Sequence, residues 1–178
     1  MTRQHWRVWP SSIEVDKILA QPETHEISKA TTFGGDDEKW RRSRVAWLTE
    51  NLEVRNMLTP YIDEARDIMG IDVSHNCEIQ FTEYHASENG HYDWHHDVNY
   101  FHNEPFDRKL SMTVQLTDPT EYEGGDFHLD DSVEPLPSFS KDKGSVLIFP
   151  SYINHKVSPV TKGIRRSLVA WFSGPRWR

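Results

Sequence analysis

The chain holds a single cysteine, Cys77, in 178 residues. One thiol closes no internal disulfide, so the covalent framework on which small secreted folds rely is excluded. No apolar run reaches the roughly 18 residues that a membrane-spanning helix needs, so no membrane partner is expected. The opening MTRQHWRVWPSS has no apolar centre of the signal-peptide kind, and with the lone thiol this predicts a reducing, cytoplasmic setting. Positive charge is also scarce, with 20 Lys and Arg against 28 Asp and Glu, a net charge of -8. That balance opposes the counterion-driven attraction behind general nucleic-acid binding and makes nucleic acid a disfavoured partner. Internal repeats and low-complexity linkers are absent, and the length suits one domain, residues 1–178, around one substantial core.

What is present is aromatic and patterned. The 7 Trp, 6 Tyr and 8 Phe can supply large core contacts and flat ligand walls. Ser11 with Glu14 has the spacing of a capping box, and Ile13, Val15, Ile18 and Leu19 predict a short helix ending near Pro22. Residues 26–37 predict a short strand entering a Gly turn. Residues 49–69 carry Val54, Leu58, Tyr61, Ile62, Ala65 and Ile68 at helical spacing. They predict a helix lying outside a sheet, stopped at Gly70 and kinked or divided between Met57 and Pro60.

After Gly70 the period shortens to two. Cys77, Ile79 and Phe81 alternate with polar neighbours, as do Leu110, Met112, Val114 and Leu116, and both runs predict half-buried strands. Further strands are predicted near residues 91–95, 126–129, 145–149 and 165–172, a succession that suits a β-sandwich or jelly roll. EGGDF, from Glu123 to Phe127, reads as a Gly turn feeding a strand. The irregular stretches 98–108 and 130–143 are candidate rims or lids.

His95 and Asp97 stand two residues apart. On a strand, side chains at i and i+2 leave the same face, so an imidazole nitrogen and a carboxylate oxygen can bind one metal ion together. His155, beyond the apolar run 146–149 and Pro150, is the third candidate ligand. His96 adjoins His95, but its own i+2 neighbour is Val98. Two His and one carboxylate compose the facial triad of non-haem Fe(II) oxygenases, and the same set can hold Zn(II) with an open water site. The zinc use needs a nearby general base, and the chain has no HExxH motif. His91, His102 and His128 read as surface or core histidines.

In order, Tyr84, Gly90, Tyr92, His95, Asp97, the EGGDF turn, LIFP, His155, Arg165 and Trp171 resemble the 2-oxoglutarate- and Fe(II)-dependent dioxygenases, most of all the prolyl 4-hydroxylase type. The likeness runs from about Cys77 to the C-terminus. It implies a mainly β fold, a double-stranded β-helix or jelly roll over about residues 71–178, with supporting helices from about residues 1–70. It implies that His95, Asp97 and His155 bind Fe(II), that 2-oxoglutarate and O2 are co-substrates, that ascorbate is a candidate reductant, and that succinate and CO2 are co-products. The far carboxylate of 2-oxoglutarate needs a cation, and Arg suits it because its planar fork donates two parallel hydrogen bonds. Alternation lets only one of Arg165 and Arg166 face inward; the family pattern selects Arg165, with Ser167 on the same face. Tyr84 is implied as a further co-substrate contact, and Gln115 as a pocket residue where some relatives carry Tyr.

The resemblance also implies a prolyl residue of a peptide or protein as substrate. A lysyl side chain, a free amino acid or a nucleobase would present a C–H bond to the same chemistry, and a zinc hydrolase or a non-catalytic jelly-roll binding module are the readings of other classes. Asp118, Glu121, Glu123, Asp126, Asp130, Asp131 and Glu134 follow one another with no Lys or Arg between them. As a rim they would favour a peptide with neutral or basic flanks, captured less well as salt rises. Arg41, Arg42 and Arg44 read as a solvated basic surface.

Overall fold

A computed structural model describes residues 5–31, 38–100, 103–130 and 136–178. Along them run β1 (Arg7–Trp9), α1 (Val15–Leu19), β2 (Ser28–Lys29), β3 (Arg41–Arg42), β4 (Arg44–Trp47), α2 (Leu52–Met69), β5 (Cys77–His85) and β6 (His91–His95). Then follow β7 (Phe106–Gln115), β8 (Glu123–Gly124), β9 (Phe127–Leu129), β10 (Val146–Pro150), β11 (His155–Val157), β12 (Val160–Lys162) and β13 (Ile164–Pro175). The expected turn at Gly34 and Gly35, His102, and Asp131 and Glu134 lie outside the described residues.

A large antiparallel sheet has the order β1-β10-β7-β13-β5-β4-β2, a smaller one the order β3-β6-β11-β9, and β12 pairs with β8. Among the described residues, the first 70 thus contribute four strands as well as helices. β1 and β2 close the edges of the large sheet, β4 lies beside β5, and β3 edges the small sheet. At two to four residues each, these strands are too short to display a period of two, and their sheet partners place them.

Alternation in the long strands sorts residues between two buried faces. Ile79 and Phe81 on β5, Leu110, Met112 and Val114 on β7, and Leu168, Ala170 and Phe172 on β13 join one apolar cluster with Val54, Leu58, Ile62 and Ala65 of α2. The expectation of half-buried strands is corrected on the other face. Gln80 and Thr82 on β5 and Ser111 and Thr113 on β7 are buried as well, because the small sheet covers them, and Gln115, Arg165 and Ser167 are buried on the same face, the side expected of them. The polar half of each alternation is therefore the floor of an interior pocket.

Helix α2 starts at Asn51, whose side chain accepts from the Val54 N–H at 3.0 Å and whose amide nitrogen donates to Gln21 and Glu23. Thr49, the expected start, instead takes the Ile79 N–H on its hydroxyl. Gly70 stops the helix in the left-handed conformation, φ 65. The expected division near Pro60 is absent: α2 is one helix, and Pro60 and Asn56, the residue whose carbonyl a proline at this place leaves without its helical bond, both lie on the exposed face. Ile68 is 37% exposed and Met69 takes its place in the core.

The capping box at Ser11 does not form. Glu14 caps α1 without a side-chain bond, while Ser12 and Ile13 N–H groups bind the Gly144 carbonyl and Ser11 N–H binds Ser145 Oγ. Long-range anchoring to the start of β10 overrides the local motif. No helix among the described residues is long and apolar enough to cross a membrane.

Packing, more than capping, holds α2. Asn51→Ala is expected to cost about 0.5 to 2 kcal/mol and Leu58→Ala about 2 to 5 kcal/mol. Urea unfolding monitored by circular dichroism checks that ranking.

Candidate active site

The small sheet carries an irregularity that aims its side chains. Across β6 and β11, His95 pairs with His155 but Tyr92 pairs with Val157. Three steps on β6 therefore face two on β11, which is a bulge. Without it Tyr92 and His95 would leave opposite faces; with it their rings stack at 3.5 Å and 15°. The strand ends at His95, so the strand geometry expected for the His95 and Asp97 pair does not extend to Asp97. That residue lies just past the end, held by its N–H on the Ser151 carbonyl at 2.9 Å.

His95, Asp97 and His155 converge, with one ligand atom from each lying within 4.8 Å of the others. Nε2 of His155 is 3.5 Å from Asp97 Oδ2, and Nε2 of His95 is 3.8 Å from Oδ1. Nδ1 of His95 lies 2.7 Å from the Asp93 carbonyl and Nδ1 of His155 3.0 Å from that of Ile153. A carbonyl only accepts, so each Nδ1 carries the proton and each Nε2 keeps its lone pair for a metal. Burial, with the neighbouring His155, pushes the pKa of His95 down to about 3. No proton competes for its lone pair at neutral pH. Burial alone would raise the Asp97 carboxyl, but His155, His95 and the Ser111 hydroxyl together pull it down further, leaving a carboxylate.

A supporting pair escaped the sequence reading. Ser111 Oγ donates to Asp97 Oδ2 at 2.6 Å, and Ser151 Oγ lies 2.9 Å from Ser111 Oγ; both serines are buried. Ser111 occupies a polar position of the β7 alternation, the only signal it left. Outer partners of this kind orient a ligand and tune its basicity, so Ser111→Ala is expected to weaken metal binding by roughly 10- to 100-fold. Titration with Co(II), followed by its visible absorption, measures the change.

On β13 the alternation divides the two arginines. Arg165 is 2% exposed and donates from Nη2 to Gln115 Oε1 at 2.9 Å, with its guanidinium 5.6 Å from the Tyr84 ring centroid. No carboxylate among the described residues reaches ion-pair distance of it. Arg166 turns to the other side and binds Glu83 Oε1 at 2.7 Å. Ser167 shares the inner face and is buried. The EGGDF turn wraps this end of the pocket: Gly125, at φ 62, leaves room that a Cβ 2.9 Å from Arg165 Cδ would take.

A cavity of about 40 Å³ between the sheets is bordered by the three converging side chains and by Tyr84, Arg165 and Ser167. Arg41, Gln80, Tyr92 and Trp171 border it too, and only Tyr92 and Trp171 had figured in the sequence pattern. Phe149 meets the His155 ring edge-on at 4.8 Å and Phe127 lies 5.5 Å from it, forming an apolar wall. Burial raises the Tyr92 phenol to about 12, so it keeps its proton.

A larger cleft of about 410 Å³ shares Arg165 and Phe127 with this cavity and has Gln115, Trp94 and His128 on its walls. Leu136, Pro137, Ser138 and Lys141, from the second candidate lid, wall it as well. The first candidate lid is shorter than expected, since residues 106–108 belong to β7, and its described residues border neither space. His91 has both ring nitrogens on backbone carbonyls, away from the pocket.

The family model for the 2OG-Fe(II) oxygenase superfamily matches residues 79–173, just over half of the chain. A PKHD-type hydroxylase from a Synechococcus species is 44% identical over 86 residues, covering 48% of this chain and 38% of that protein. Another from Gloeothece citriformis is 40% identical over 62 residues, covering 35% and 28%. The chain thus spans less than two fifths of the length of these curated relatives. Among solved structures, a prolyl-4-hydroxylase of Pseudomonas putida superposes with TM-score 0.67 at 20% identity, over 97% of this chain and 93% of that one. A viral collagen prolyl hydroxylase from Paramecium bursaria Chlorella virus-1 gives 0.70 at 15%, over 96% and 97%. A Trichoplax adhaerens prolyl hydroxylase in complex with a hypoxia inducible factor peptide fragment gives 0.70 at 15%, over 96% and 84%. At such identities the likeness is one of fold, the jelly roll.

Proposed function

The chain belongs to the 2OG-Fe(II) oxygenase superfamily, and from that premise we propose that it binds Fe(II) and 2-oxoglutarate and hydroxylates a prolyl residue of a peptide or protein. The observation that carries the reading is the pairing, in one cavity, of three converging metal-ligand side chains with a buried arginine that has no carboxylate partner among the described residues. Such a guanidinium is costly unless an anion completes it, and the far carboxylate of 2-oxoglutarate is an anion of that kind.

His95 and His155 would bind through Nε2 and Asp97 through its carboxylate, leaving coordination positions for the co-substrate and oxygen. Arg165 would take the far carboxylate with its remaining N–H groups, while Gln115 holds the fork in place. Tyr84 and Ser167 border the same space and would orient the chain of the diacid. Phe127 and Phe149 exclude water around His155. When bound, Fe(II) with O2 supplies the oxidative decarboxylation of 2-oxoglutarate to succinate and CO2, coupled to conversion of a substrate C–H to C–OH. Among the described residues bordering the cavity, the zinc-hydrolase alternative finds no base. Besides the three candidate ligands, the ionisable residues bordering the cavity are Arg41, Arg165, Tyr84 and Tyr92.

The prolyl target is supported by the prolyl hydroxylases of like fold, one of them solved with a peptide. The larger cleft, between Trp94, His128 and the segment that begins at Leu136, suits a peptide approaching the metal. Of the acidic stretch behind the expected preference for neutral or basic flanks, only Asp126 borders the cleft among the described residues, and it is paired with Lys141.

The test offers proline-containing peptides to the protein with Fe(II), and separately with Zn(II), and follows succinate and peptide mass. Succinate with Fe(II) alone and one added oxygen on proline are expected. Oxygen confined to lysine, a free amino acid or a base removes the prolyl target, and hydrolysis with Zn(II) removes the oxygenase reading.

A further inference from the structure

Arg41 was read from sequence as part of a solvated basic surface, and its neighbours fit that description. Arg42 pairs with Glu38, and Arg44 with Glu88. Arg41 does not: it borders the metal-ligand cavity and, among the described residues, is held only by neutral groups. Its Nε donates to Ser43 Oγ and one Nη2–H to Gln80 Oε1, each at 2.8 Å. Both Nη1 protons and one on Nη2 remain for another acceptor. In a chain with 28 acidic and 20 basic residues, a guanidinium without a carboxylate among the described residues does not reflect a shortage of acids.

Position separates this cation from Arg165. Arg41 stands opposite Tyr92 across β3 and β6, its guanidinium carbon 4.6 Å from the Tyr92 ring, which in turn stacks on His95. Its partner Gln80 pairs with Val169 on β13, whereas Arg165 pairs with Tyr84. Four residues of strand separate the two levels, about 13 Å at about 3.3 Å per residue. A five-carbon diacid with one end on the metal and the other on Arg165 does not extend to Arg41. Trp171 borders the same cavity two residues beyond Val169, is 7% exposed, and its buried indole N–H has no acceptor.

We propose that Arg41 binds a carboxylate of the substrate, so that the enzyme selects a target residue that carries or adjoins an anionic group. The inference rests on the oxygenase reading for the place of the reacted carbon. Because Arg41 lies one aromatic ring away from a metal ligand, the carboxylate and that carbon belong to the same residue or to adjacent ones. An acidic side chain next to the target and the α-carboxylate of the target itself offer the same chemistry.

The experiment measures binding, not turnover. Protein loaded with Zn(II) and 2-oxoglutarate under nitrogen is titrated calorimetrically with four peptides that share an acetylated Gly-Pro. One continues with Asp and an amidated end, one with Asn, one with Lys, and one ends at proline with a free carboxylate. At least one carboxylate-bearing peptide is expected to bind about tenfold tighter than the Asn peptide. Preference for the Asp peptide assigns an internal acidic neighbour, and preference for the free end assigns the α-carboxylate. Arg41→Gln is expected to erase the preference, Arg41→Lys to keep part of it, and Arg41→Glu to transfer it to the Lys peptide, a gain that misfolding does not produce. Equal binding of all four peptides, binding of none, or a preference that survives Arg41→Gln overturns the proposal. Succinate formation with Fe(II) is a separate readout, so failure here and failure of the oxygenase reading are distinguishable.

Discussion

His155→Ala is expected to abolish metal-dependent turnover, with a loss larger than the roughly 10- to 100-fold typical of an outer partner such as Ser111. His155 offers Nε2 to the shared point because its Nδ1 is committed to the Ile153 carbonyl. Among the described residues no other His, Cys, Asp or Glu joins this group. Metal binding also reports on the site without turnover. A ligand that binds only the folded state stabilises it by about 2.7 kcal/mol when present at about 100 times its Kd. Added Co(II) or Mn(II) should therefore raise the melting temperature of the wild type and leave that of His155→Ala nearly unmoved. His155→Gln, which fills more of the space against Phe127 and Phe149, separates loss of a ligand from loss of packing. Full metal-dependent turnover in either variant would move the third ligand elsewhere.

Arg165→Met should weaken 2-oxoglutarate binding by about 2 to 4 kcal/mol, the range for losing a charge-assisted bidentate contact. That corresponds to roughly thirty- to several-hundred-fold in affinity. Arg166→Met should change it little, because Arg166 sits on the opposite face and spends its charge on Glu83. A second, opposite effect is expected in the absence of co-substrate. Arg165 is a buried cation with a neutral partner, Gln115, so replacing it with an apolar side chain of similar length should raise the melting temperature of the free protein. Stability and affinity would then move in opposite directions at one residue. Equilibrium binding of 2-oxoglutarate and thermal melts of both variants check the pair of outcomes. A larger affinity loss in Arg166→Met would mean that β13 presents its other face to the co-substrate.

Periodicity was most legible where strands are long. On β5, β7 and β13 the apolar members of each alternation form the cluster with α2, as their spacing suggested. The polar members of β5 and β7 had read as solvent-facing, yet Gln80, Thr82, Ser111 and Thr113 are interior. A period of two reports which residues share a face and leaves open whether water or a second sheet lies over it. The capping box at Ser11 and a division into two helices at Pro60 do not form, each because its surroundings decide. A capping preference of about 1 kcal/mol yields when distant backbone groups, such as the Gly144 carbonyl, offer bonds to the same residues, and the larger cost of an interior proline, about 3 kcal/mol, is tolerated in α2, where Pro60 and Asn56 lie on the exposed face.

The sequence by itself determined the mainly β architecture, the helix over the large sheet and the three side chains that converge as candidate metal ligands. Strand spacing and motif order are properties of the chain, and they survive folding unchanged. The tertiary structure alone decided the rest. The β6 bulge that brings Tyr92 and His95 to one face depends on the partner strand, since a bulge is a mismatch between two strands and neither sequence contains it. Ser111 and Ser151 meet Asp97 because β7 and β10 lie side by side under the end of β6. Arg41, half-buried, borders the cavity because a two-residue strand, too short to announce its own facing, takes its orientation from Tyr92 across the pair. Chemistry assembled from residues far apart in the chain is set by packing, and packing is where a guanidinium with neutral partners beside a cavity first becomes visible.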